Sequence, residues 1–259
     1  MKKDGVFMDN LRLWEVYQTL ASEEFKWVDL SRPLEPETPH YGGFPGMEIN
    51  AIYDYEKTDC NFRAHVYSTV GQCGTHVDPP VHFHKEGRAL DEIQISEMVL
   101  PLCVIDLVEE VEKNPDYELT VKDIEAWESK HGKIPAGSFV AFHSGWAKRK
   151  TIEEIENLDA NGQSHYPGWG LDALKFLIEE RNVTAIGHEP SDTDPAAVAS
   201  TVGWVGEDYY LHQDRYQIEM MTNLDQCPEV GGIIFCTFPK ITGGSGFPAR
   251  CFALVPKAK

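Results

Sequence analysis

The chain has 259 residues, with 23 basic and 42 acidic side chains and a formal net charge of −19. Hydrophobic residues make up 42% of it, which is typical of a globular protein with a buried core and excludes collagen-like and disordered classes. Nucleic acid and anionic membranes are not expected partners, because binding to phosphates depends on clustered Lys and Arg, and no basic block of five or more occurs.

The N-terminal segment and the cysteines indicate a cytoplasmic protein. Met1-Lys2-Lys3 is followed by Asp4, Gly5 and Asp9, so the apolar segment of a signal peptide is not expected. No run approaches the roughly 18 apolar residues of a membrane-spanning helix. The six Cys are scattered without a CxxC pair, and we interpret them as buried thiols rather than as disulfides or a zinc knuckle.

The first predicted element is an amphipathic helix within residues 9–25. Its apolar positions follow helical spacing and are Leu13, Val16, Tyr17 and Leu20. We expect residues 1–25 to form a docking helix that packs on a neighbouring subunit. Residues 27–70 then show short apolar runs broken by turn residues, which predicts strands and loops without a helix.

Helices and strands alternate in the rest of the chain. The predicted elements are a strand at 101–108, a helix that a Thr120–Asp123 capping box opens and that runs through Trp127, a strand at 138–146, a helix at 171–178, and strands at 183–190, 231–238 and 252–256. This alternation predicts an α/β fold with a mixed sheet. No repeat and no long linker interrupts the chain, so we expect a single domain over residues 1–259. The glycine-rich run 243–246 lies between two predicted strands and is interpreted as a hairpin turn rather than a phosphate-binding loop.

The unusual stretch of the sequence is residues 71–84, where polar groups recur at even positions. Glycines and prolines disfavour a helix here, and in an extended chain alternate residues point to the same side, so Gln72, His76 and Asp78 can face one point. An imidazole and a carboxylate with a third donor suit Zn²⁺, Mn²⁺ or Fe²⁺. The Pro79-Pro80 pair stiffens the chain and holds His82 beyond these ligands, where it could transfer protons. The alternative, a His-rich surface loop, requires three imidazoles in nine residues without a function.

At these residues the sequence resembles the cyclase-like metal-dependent hydrolases, which include bacterial kynurenine formamidase and isatin hydrolase. Their motif HxGTHxDxPxH is matched by QCGTHVDPPVH at residues 72–82 in every defined position except the first. The segments 165–169, 185–187, 192–195, 216–219 and 222–225 resemble downstream family segments. The resemblance implies a three-layer swivelling β/β/α fold, a divalent metal ion such as Zn²⁺ or Mn²⁺, one or two per chain, and a homodimer or homotetramer.

The resemblance also implies residue roles. Gln72, His76, Asp78 and Glu219 would bind metal, and His82 would act as the acid and base. The sequence departs from the family at two positions, because Gln72 stands in place of a His ligand and Glu207 in place of a later one. His188 and His212 lie near Glu207 in the sequence and are further candidates for the metal, and Thr75 could hydrogen-bond a ligand.

Contacts to the substrate are the least specified by the sequence. Arg250 could bind a substrate carboxylate or form a structural ion pair, and His143, His165 and Trp169 are further candidates. Aromatic residues that could line a pocket or belong to the core are Trp14, Tyr41, Phe44, Trp146 and Trp169.

The sequence therefore favours a metal-dependent hydrolase that cleaves a C–N or ester bond of a small metabolite. Two alternatives remain open at this point. One is a metal-poor binding protein in which Gln72 and Glu207 have replaced imidazole ligands. The other is a metal-assisted lyase or cyclising enzyme, because a metal next to an imidazole can also serve proton abstraction.

Overall fold

The structure is a computed structural model that describes residues 4–56 and 60–257, with side chains described from residue 11 onward. The helices are α1 (Asp4–Leu20), α2 (Val108–Lys113), α3 (Val121–His131), α4 (Ile152–Glu156), α5 (Leu171–Glu179), α6 (Ala196–Val202) and α7 (Val205–His212). The strands are β1 (Phe25–Asp29), β2 (Glu48–Tyr53), β3 (Ala64–Ser68), β4 (His76–Asp78), β5 (Val99–Asp106), β6 (Glu118–Leu119), β7 (Phe139–His143), β8 (Gly168–Trp169), β9 (Ala185–His188), β10 (Tyr216–Glu219), β11 (Gly232–Thr237), β12 (Phe247–Pro248) and β13 (Arg250–Pro256).

A nine-stranded mixed sheet organises the described part of the chain. Its order is β1-β13-β11-β5-β7-β9-β10-β4-β12, with β5, β7, β9 and β10 parallel and the outer strands antiparallel. The parallel strands are joined through helices, as crossover connections require. Two short ribbons, β2-β3 and β6-β8, lie outside this sheet.

Two apolar clusters cover the two faces of the large sheet. One cluster packs helices α3, α5 and α7 on the parallel strands through residues such as Trp127, Leu174 and Leu211. The other joins side chains from both ends of the strand order, such as Val28 and Val77, to central residues such as Phe139. Because strands far apart in the order share one core, the sheet curls over itself. The result is the mixed α/β fold with helices on one side that the sequence predicts.

The predicted elements are present, with differences in their bounds. The N-terminal helix begins at Asp4 and ends at Leu20, and Phe25 already belongs to β1. The predicted capping box is confirmed, because the Thr120 backbone N–H and hydroxyl both donate to the Asp123 carboxylate, and the helix continues to His131. The two strands predicted on either side of residues 243–246 are β11 and β13, which pair antiparallel as a hairpin requires, and the short strand β12 interrupts the connection between them.

The parallel strands place the functional side chains. β9 ends at His188 and β10 at Glu219, and the carboxyl ends of parallel strands lie at one edge of the sheet, where ligands commonly bind. No helix of the described part has both the length and the apolar character that crossing a bilayer requires.

A candidate metal centre at the edge of the sheet

Strands β4 and β10 bring four polar side chains together. The strands are antiparallel and pair Asp78 with Gln217 and His76 with Glu219. Alternate residues share a face, so these four side chains meet on one side of the sheet. Val77, between the two β4 residues, points into the apolar core on the other side. All four polar side chains are buried.

His76 presents an unpartnered nitrogen to this cluster. Its Nδ1 donates to the Gly74 carbonyl at 2.8 Å, which the turn at Gly74 (φ 60°) makes possible. Its Nε2 has no hydrogen-bond partner among the described residues, yet it lies 3.2 Å from Asp78 Oδ2 and 3.4 Å from Glu219 Oε2. In the neutral ring Nδ1 carries the only proton, so the Nε2 lone pair then faces two carboxylate oxygens. Three electron-rich atoms that converge in this way fit a divalent cation.

The pKa values of His76, Asp78 and Glu219 also show that the cluster favours a bound positive charge. Burial alone would lower the pKa of His76, but the Asp78 carboxylate and the Gly74 carbonyl outweigh burial and raise it. Burial would raise the pKa of Asp78, but the charge on His76 outweighs burial and holds that pKa well below its usual range. Burial and the neighbouring carboxylates raise the pKa of Glu219 well above its ordinary value.

A second group of potential ligands shares Asp78. It consists of Asp78, His82 and Glu207, whose ligand atoms all lie within 4.8 Å of one another. The Nε2 atom of His82 is 3.9 Å from Asp78 Oδ1 and 3.9 Å from Glu207 Oε1. Burial and the charge on Asp78 raise the pKa of Glu207. His82 is partly exposed, whereas the two carboxylates are buried, so the imidazole separates them from the open side.

Gln72 also contacts Asp78. Its Nε2 donates to Asp78 Oδ1 at 3.0 Å and to the Ser245 carbonyl at 3.0 Å. The amide nitrogen, which is not a metal ligand, is therefore the atom that faces the carboxylate here. The loop at Gly246 comes so close that a Cβ there would lie 2.0 Å from Gln72 Nε2, which only glycine avoids.

A cavity of about 270 Å³ opens onto these groups. Its wall is apolar and consists of Tyr41, Phe44, Phe83, Trp204 and Met220. Its floor is polar and consists of Gln72, His76, His82, Ser191, Asp192, Glu207 and Glu219. A cavity with apolar walls and a few convergent polar groups is typical of a small-molecule site.

Two of the predicted residues form a buried chain behind the cavity. Trp169 Nε1 donates to His188 Nδ1 at 3.2 Å, and His188 Nε2 lies 3.2 Å from Glu219 Oε1. Burial lowers the pKa of His188 to about 3, so its ring is neutral. Of the two roles that the sequence leaves open for Trp169, substrate contact or core, the structure shows the core, because Trp169 is fully buried and lies outside the cavity lining.

The structure places several other predicted residues away from the cavity. Arg250 forms a two-bond ion pair with Asp29 on the surface, at 3.0 and 2.8 Å, which is the structural ion pair of the two alternatives that the sequence left open. His212 stacks on His84 with ring centroids 4.4 Å apart. Thr75 donates to the Met220 carbonyl at 2.8 Å and so joins the loop to the sheet.

Two predicted histidines pair with carboxylates outside the cavity lining. His143 Nδ1 is 3.2 Å from Asp106 Oδ2, and His165 Nδ1 is 2.6 Å from Asp116 Oδ2. Of the five aromatic residues considered for the pocket wall, Tyr41 and Phe44 line the cavity. Trp146 and Trp169 are core residues, and Trp14 is exposed on α1.

Sequence reasoning missed three polar residues of the site, which are Ser191, Asp192 and Gln217. Gln217 donates to Glu207 at 2.9 Å and to Glu219 at 3.0 Å. Asp192 lines the cavity and accepts a hydrogen bond from Tyr166. The signal for Gln217 was present, because it alternates with Glu219 as His76 does with Asp78. Asp192 carries no comparable signal, since its loop position gives it no fixed face.

Comparisons with known proteins bear on most of the chain. A family model described as "Putative cyclase" matches residues 28–195. The isatin hydrolase of Roseibium aggregatum is 32% identical over 254 residues, which span 92% of this chain and 95% of that protein. The kynurenine formamidase of Bacillus cereus is 27% identical over 115 residues, 42% of this chain and 54% of that protein.

Solved structures show the same likeness. Isatin hydrolase A from Ralstonia solanacearum superposes with a TM-score of 0.86 at 32% identity, covering 94% of this chain and 97% of that one. An isatin hydrolase bound to the product analogue thioisatinate gives a TM-score of 0.89 at 29% identity, covering 96% and 99%. The matched family region includes the motif at residues 72–82.

Proposed function

We infer that this chain, which belongs to the cyclase family, is a metal-dependent hydrolase that cleaves a C–N or ester bond. The observation that carries this conclusion is the convergence of His76 Nε2 with oxygens of Asp78 and Glu219 beneath a cavity, in a chain similar to isatin hydrolases. The resemblance that the motif indicated is thereby confirmed.

We propose a planar cyclic amide fused to an aromatic ring as the substrate class. The cavity of about 270 Å³ suits a small bicyclic molecule, and its aromatic wall offers flat apolar surfaces. The relatives named isatin hydrolase support the same class.

We propose His76, Asp78 and Glu219 as the residues that hold the metal, with Glu207 as a further donor. Gln72 joins them only when its amide turns over and presents its oxygen in place of the Nε2 that now donates to Asp78. When bound, a divalent ion supplies Lewis-acid polarisation of a carbonyl and lowers the pKa of a water from about 15.7 toward 7. Most of the donors are carboxylate oxygens, which favours Mn²⁺ over Zn²⁺. The two ligand groups share Asp78, so the site offers places for one or two ions.

We propose His82 as the group that moves the proton. Its Nε2 faces the cavity between Asp78 and Glu207 and can accept a proton from the attacking water. The water oxygen bonds to the carbonyl carbon, the C–N bond breaks, and His82 returns the proton to the departing nitrogen. Glu207 stabilises the positive charge that His82 carries between these two events.

We propose a homodimer or homotetramer as the working assembly. The apolar side chains of α1 that lie exposed include Leu13, Trp14 and Tyr17. A helix whose apolar face lacks a partner within its own chain is well suited to pack on a second copy. We also propose a reducing, cytoplasmic setting, which the buried thiols of Cys103, Cys236 and Cys251, none in a disulfide, support.

The test is metal content and hydrolysis measured on the same preparation. We expect about one or two equivalents of divalent metal per chain after incubation with Mn²⁺, and ring opening of isatin with one oxygen from labelled water in the product. Asp78→Asn should lose both metal and activity, whereas Asp172→Asn, at an exposed position, should keep both.

A chain that binds no metal after incubation would contradict the hydrolase and favour a binding protein. A product without solvent oxygen would favour a lyase. Neither alternative is favoured by the likeness to isatin hydrolases and kynurenine formamidases.

A further inference from the structure

We propose that His188 is a positioning residue rather than a metal ligand, and that Trp169 fixes it in this role. His188 donates its Nε2 proton to Glu219 and so leaves a single oxygen of that carboxylate for the metal. The tautomer part of this inference stands on hydrogen bonds alone, and the part that concerns the metal rests on the proposed function.

The indole of Trp169 determines which ring nitrogen of His188 carries the proton. An indole N–H can only donate, so His188 Nδ1, 3.2 Å away, must accept and holds a lone pair. A neutral ring then carries its proton on Nε2, which is 3.2 Å from Glu219 Oε1. Rotating the His188 ring by 180° about its Cβ–Cγ bond would place two C–H groups against Trp169 and Glu219. Both contacts therefore support the ring orientation described here.

Burial makes this assignment costly to change. Trp169 and His188 are both 0% exposed, so water cannot replace either hydrogen bond. A proton on Nδ1 would point at the indole N–H and leave two buried donors face to face. A metal ligand needs a lone pair, and His188 has none at the nitrogen that faces the cluster.

His76 shows the opposite arrangement in the same cluster. Its Nδ1 proton goes to the Gly74 carbonyl, and its Nε2 lone pair faces the carboxylates. The backbone carbonyl beside His76 is an acceptor, whereas the indole beside His188 is a donor. The Gly74 carbonyl therefore sets the His76 tautomer that can bind a metal. The Trp169 indole sets the His188 tautomer that donates a proton.

The consequence for Glu219 is that its two oxygens differ. Oε1 lies 3.2 Å from His188 Nε2 and accepts from Gln217 Nε2 at 3.0 Å, while the Thr193 hydroxyl donates its one proton to Gln217 Oε1 at 2.7 Å and so holds that amide in place. Oε2 lies 3.4 Å from His76 Nε2. With Oε1 occupied by two donors, Oε2 is the oxygen that is left for a metal ion.

Packing fixes Trp169 in the position from which its indole N–H donates to His188. Its backbone N–H donates to the Thr193 carbonyl at 2.7 Å, and its ring meets Phe142 edge-on with centroids 5.8 Å apart. The neighbouring Gly168 lies so close to the 193–195 backbone that a Cβ there would come within 2.4 Å of Pro195 N. Trp169 and Thr193, which both act on the Glu219 cluster, are thus fixed to each other.

The experiment is nitrogen NMR of the histidine rings, with the protein labelled with nitrogen-15 and His188 assigned from a His188→Gln spectrum. In the metal-free protein we expect His188 to be protonated at Nε2 and His76 at Nδ1. Loading with Zn²⁺, which is diamagnetic, should shift His76 Nε2 strongly and leave the His188 Nε2 proton in place.

Loss of that proton on loading, or an Nδ1 proton in the metal-free protein, would overturn the inference. The metal-free spectrum does not depend on the proposed function. A protein in which His188 is protonated at Nε2 but no metal binds would therefore contradict the hydrolase and not the tautomer.

Variants test the effect on metal affinity through competition with a chelator. His188→Gln keeps an N–H near the Nε2 position and should bind Mn²⁺ within about threefold of the parent, whereas His188→Leu should lose about 10- to 100-fold. Trp169→Phe should also weaken binding by about tenfold. Trp127→Phe is the matched control, because its buried indole donates to the Val104 carbonyl in the helical cluster away from the site.

Equal affinity in His188→Leu and the parent would contradict the positioning role. So would equal losses in Trp169→Phe and Trp127→Phe, which would mean that removing any buried indole is enough.

Discussion

His82 differs from the other imidazoles of the site because it is partly exposed, whereas His76 and His188 are buried. We expect His82→Ala to lower kcat by about 10²- to 10⁴-fold, because it removes proton transfer to and from the reacting atoms. Metal content should be retained, since His76, Asp78 and Glu219 remain. Steady-state kinetics together with elemental analysis measures both quantities.

The control for this variant is His84→Ala. His84 stacks on His212 and does not line the cavity, so its loss should leave kcat within a few-fold of the parent. Loss of metal from His82→Ala would show instead that His82 is a ligand, and would assign it to the group with Asp78 and Glu207.

The connection between the antiparallel neighbours β11 and β13 extends to the site at Gly246. A Cβ at Gly246 would overlap Gln72 Nε2 and come within 3.2 Å of Asp78 Oδ1. We expect Gly246→Ala to displace the Gln72 amide and to lower kcat/KM by about 10- to 100-fold through misplacement of Asp78. The kinetics of hydrolysis measure this loss.

A double-mutant cycle separates this effect from general damage to the loop. In a Gln72→Ala background the overlapping amide is gone, so Gly246→Ala should add little. Ser245→Ala keeps the carbonyl that accepts from Gln72 and should behave as the parent does. An equal loss with and without Gln72 would contradict the overlap.

Helix α1 exposes apolar side chains that no part of the described chain covers. We expect a shortened chain that starts at Ser22 to lose subunit association, because Trp14 and Tyr17, 69% and 66% exposed, would no longer be available to a second copy. Light scattering measures the mass of the assembly, which for the parent is compared with the 29.2 kDa of one 259-residue chain. The paired change Trp14→Ser and Tyr17→Ser should act in the same direction, and Glu15→Ser should not. An unchanged mass in the shortened chain would contradict the docking role.

Across the whole molecule, the buried carboxylates make stability depend on pH. Burial raises the pKa of Asp192 to about 7, and burial also raises the pKa values of Glu207 and Glu219. Their folded-state pKa values exceed the unfolded ones, so the folded metal-free protein binds more protons between pH 5 and 7 than the unfolded chain does. Its free energy of unfolding should therefore fall as pH rises, by up to about 1.4 kcal/mol per pH unit for each such proton.

His76 acts in the same direction and Asp78 in the opposite one. The raised pKa of His76 gives stability that is present below its unfolded pKa and is lost as pH rises through the folded value. The lowered pKa of Asp78 gives stability that is present above its unfolded pKa and is lost in stronger acid. Between pH 5 and 7 Asp78 is ionised in both states and adds no slope. His188, with a folded pKa of about 3, opposes the slope there, because the unfolded histidine binds a proton that the folded one does not. The raised groups Asp192, Glu207, Glu219 and His76 outnumber it.

Urea unfolding of the metal-free protein at pH 5.5, 6.5 and 7.5 measures this slope. Mn²⁺ should flatten it, because a cation among the carboxylates replaces the bound protons. The surface charges that give the net charge of −19 also repel one another at high pH. Salt at about 0.3 M screens this repulsion far more than it screens the buried carboxylates. A slope that salt abolishes would assign the effect to the surface.

Sequence patterning alone accounts for much of the fold. The capping box at Thr120, the helix around 171–178 and the central strands are local features, and the structure contains each of them. Sequence patterning also predicts that His76 and Asp78 share a face, because the alternation of side chains along a strand depends only on neighbouring residues. The family followed from the motif at residues 72–82.

The tertiary structure decided which distant residues complete the site. Gln217 reaches Asp78 across 139 positions in the sequence, at 3.5 Å, because β10 lies beside β4 in the sheet. Packing likewise turned Trp169 toward His188 and paired Arg250 with Asp29. The periodicity of a strand is encoded locally, but its partner and register depend on how the whole core packs, so no local pattern could specify these contacts.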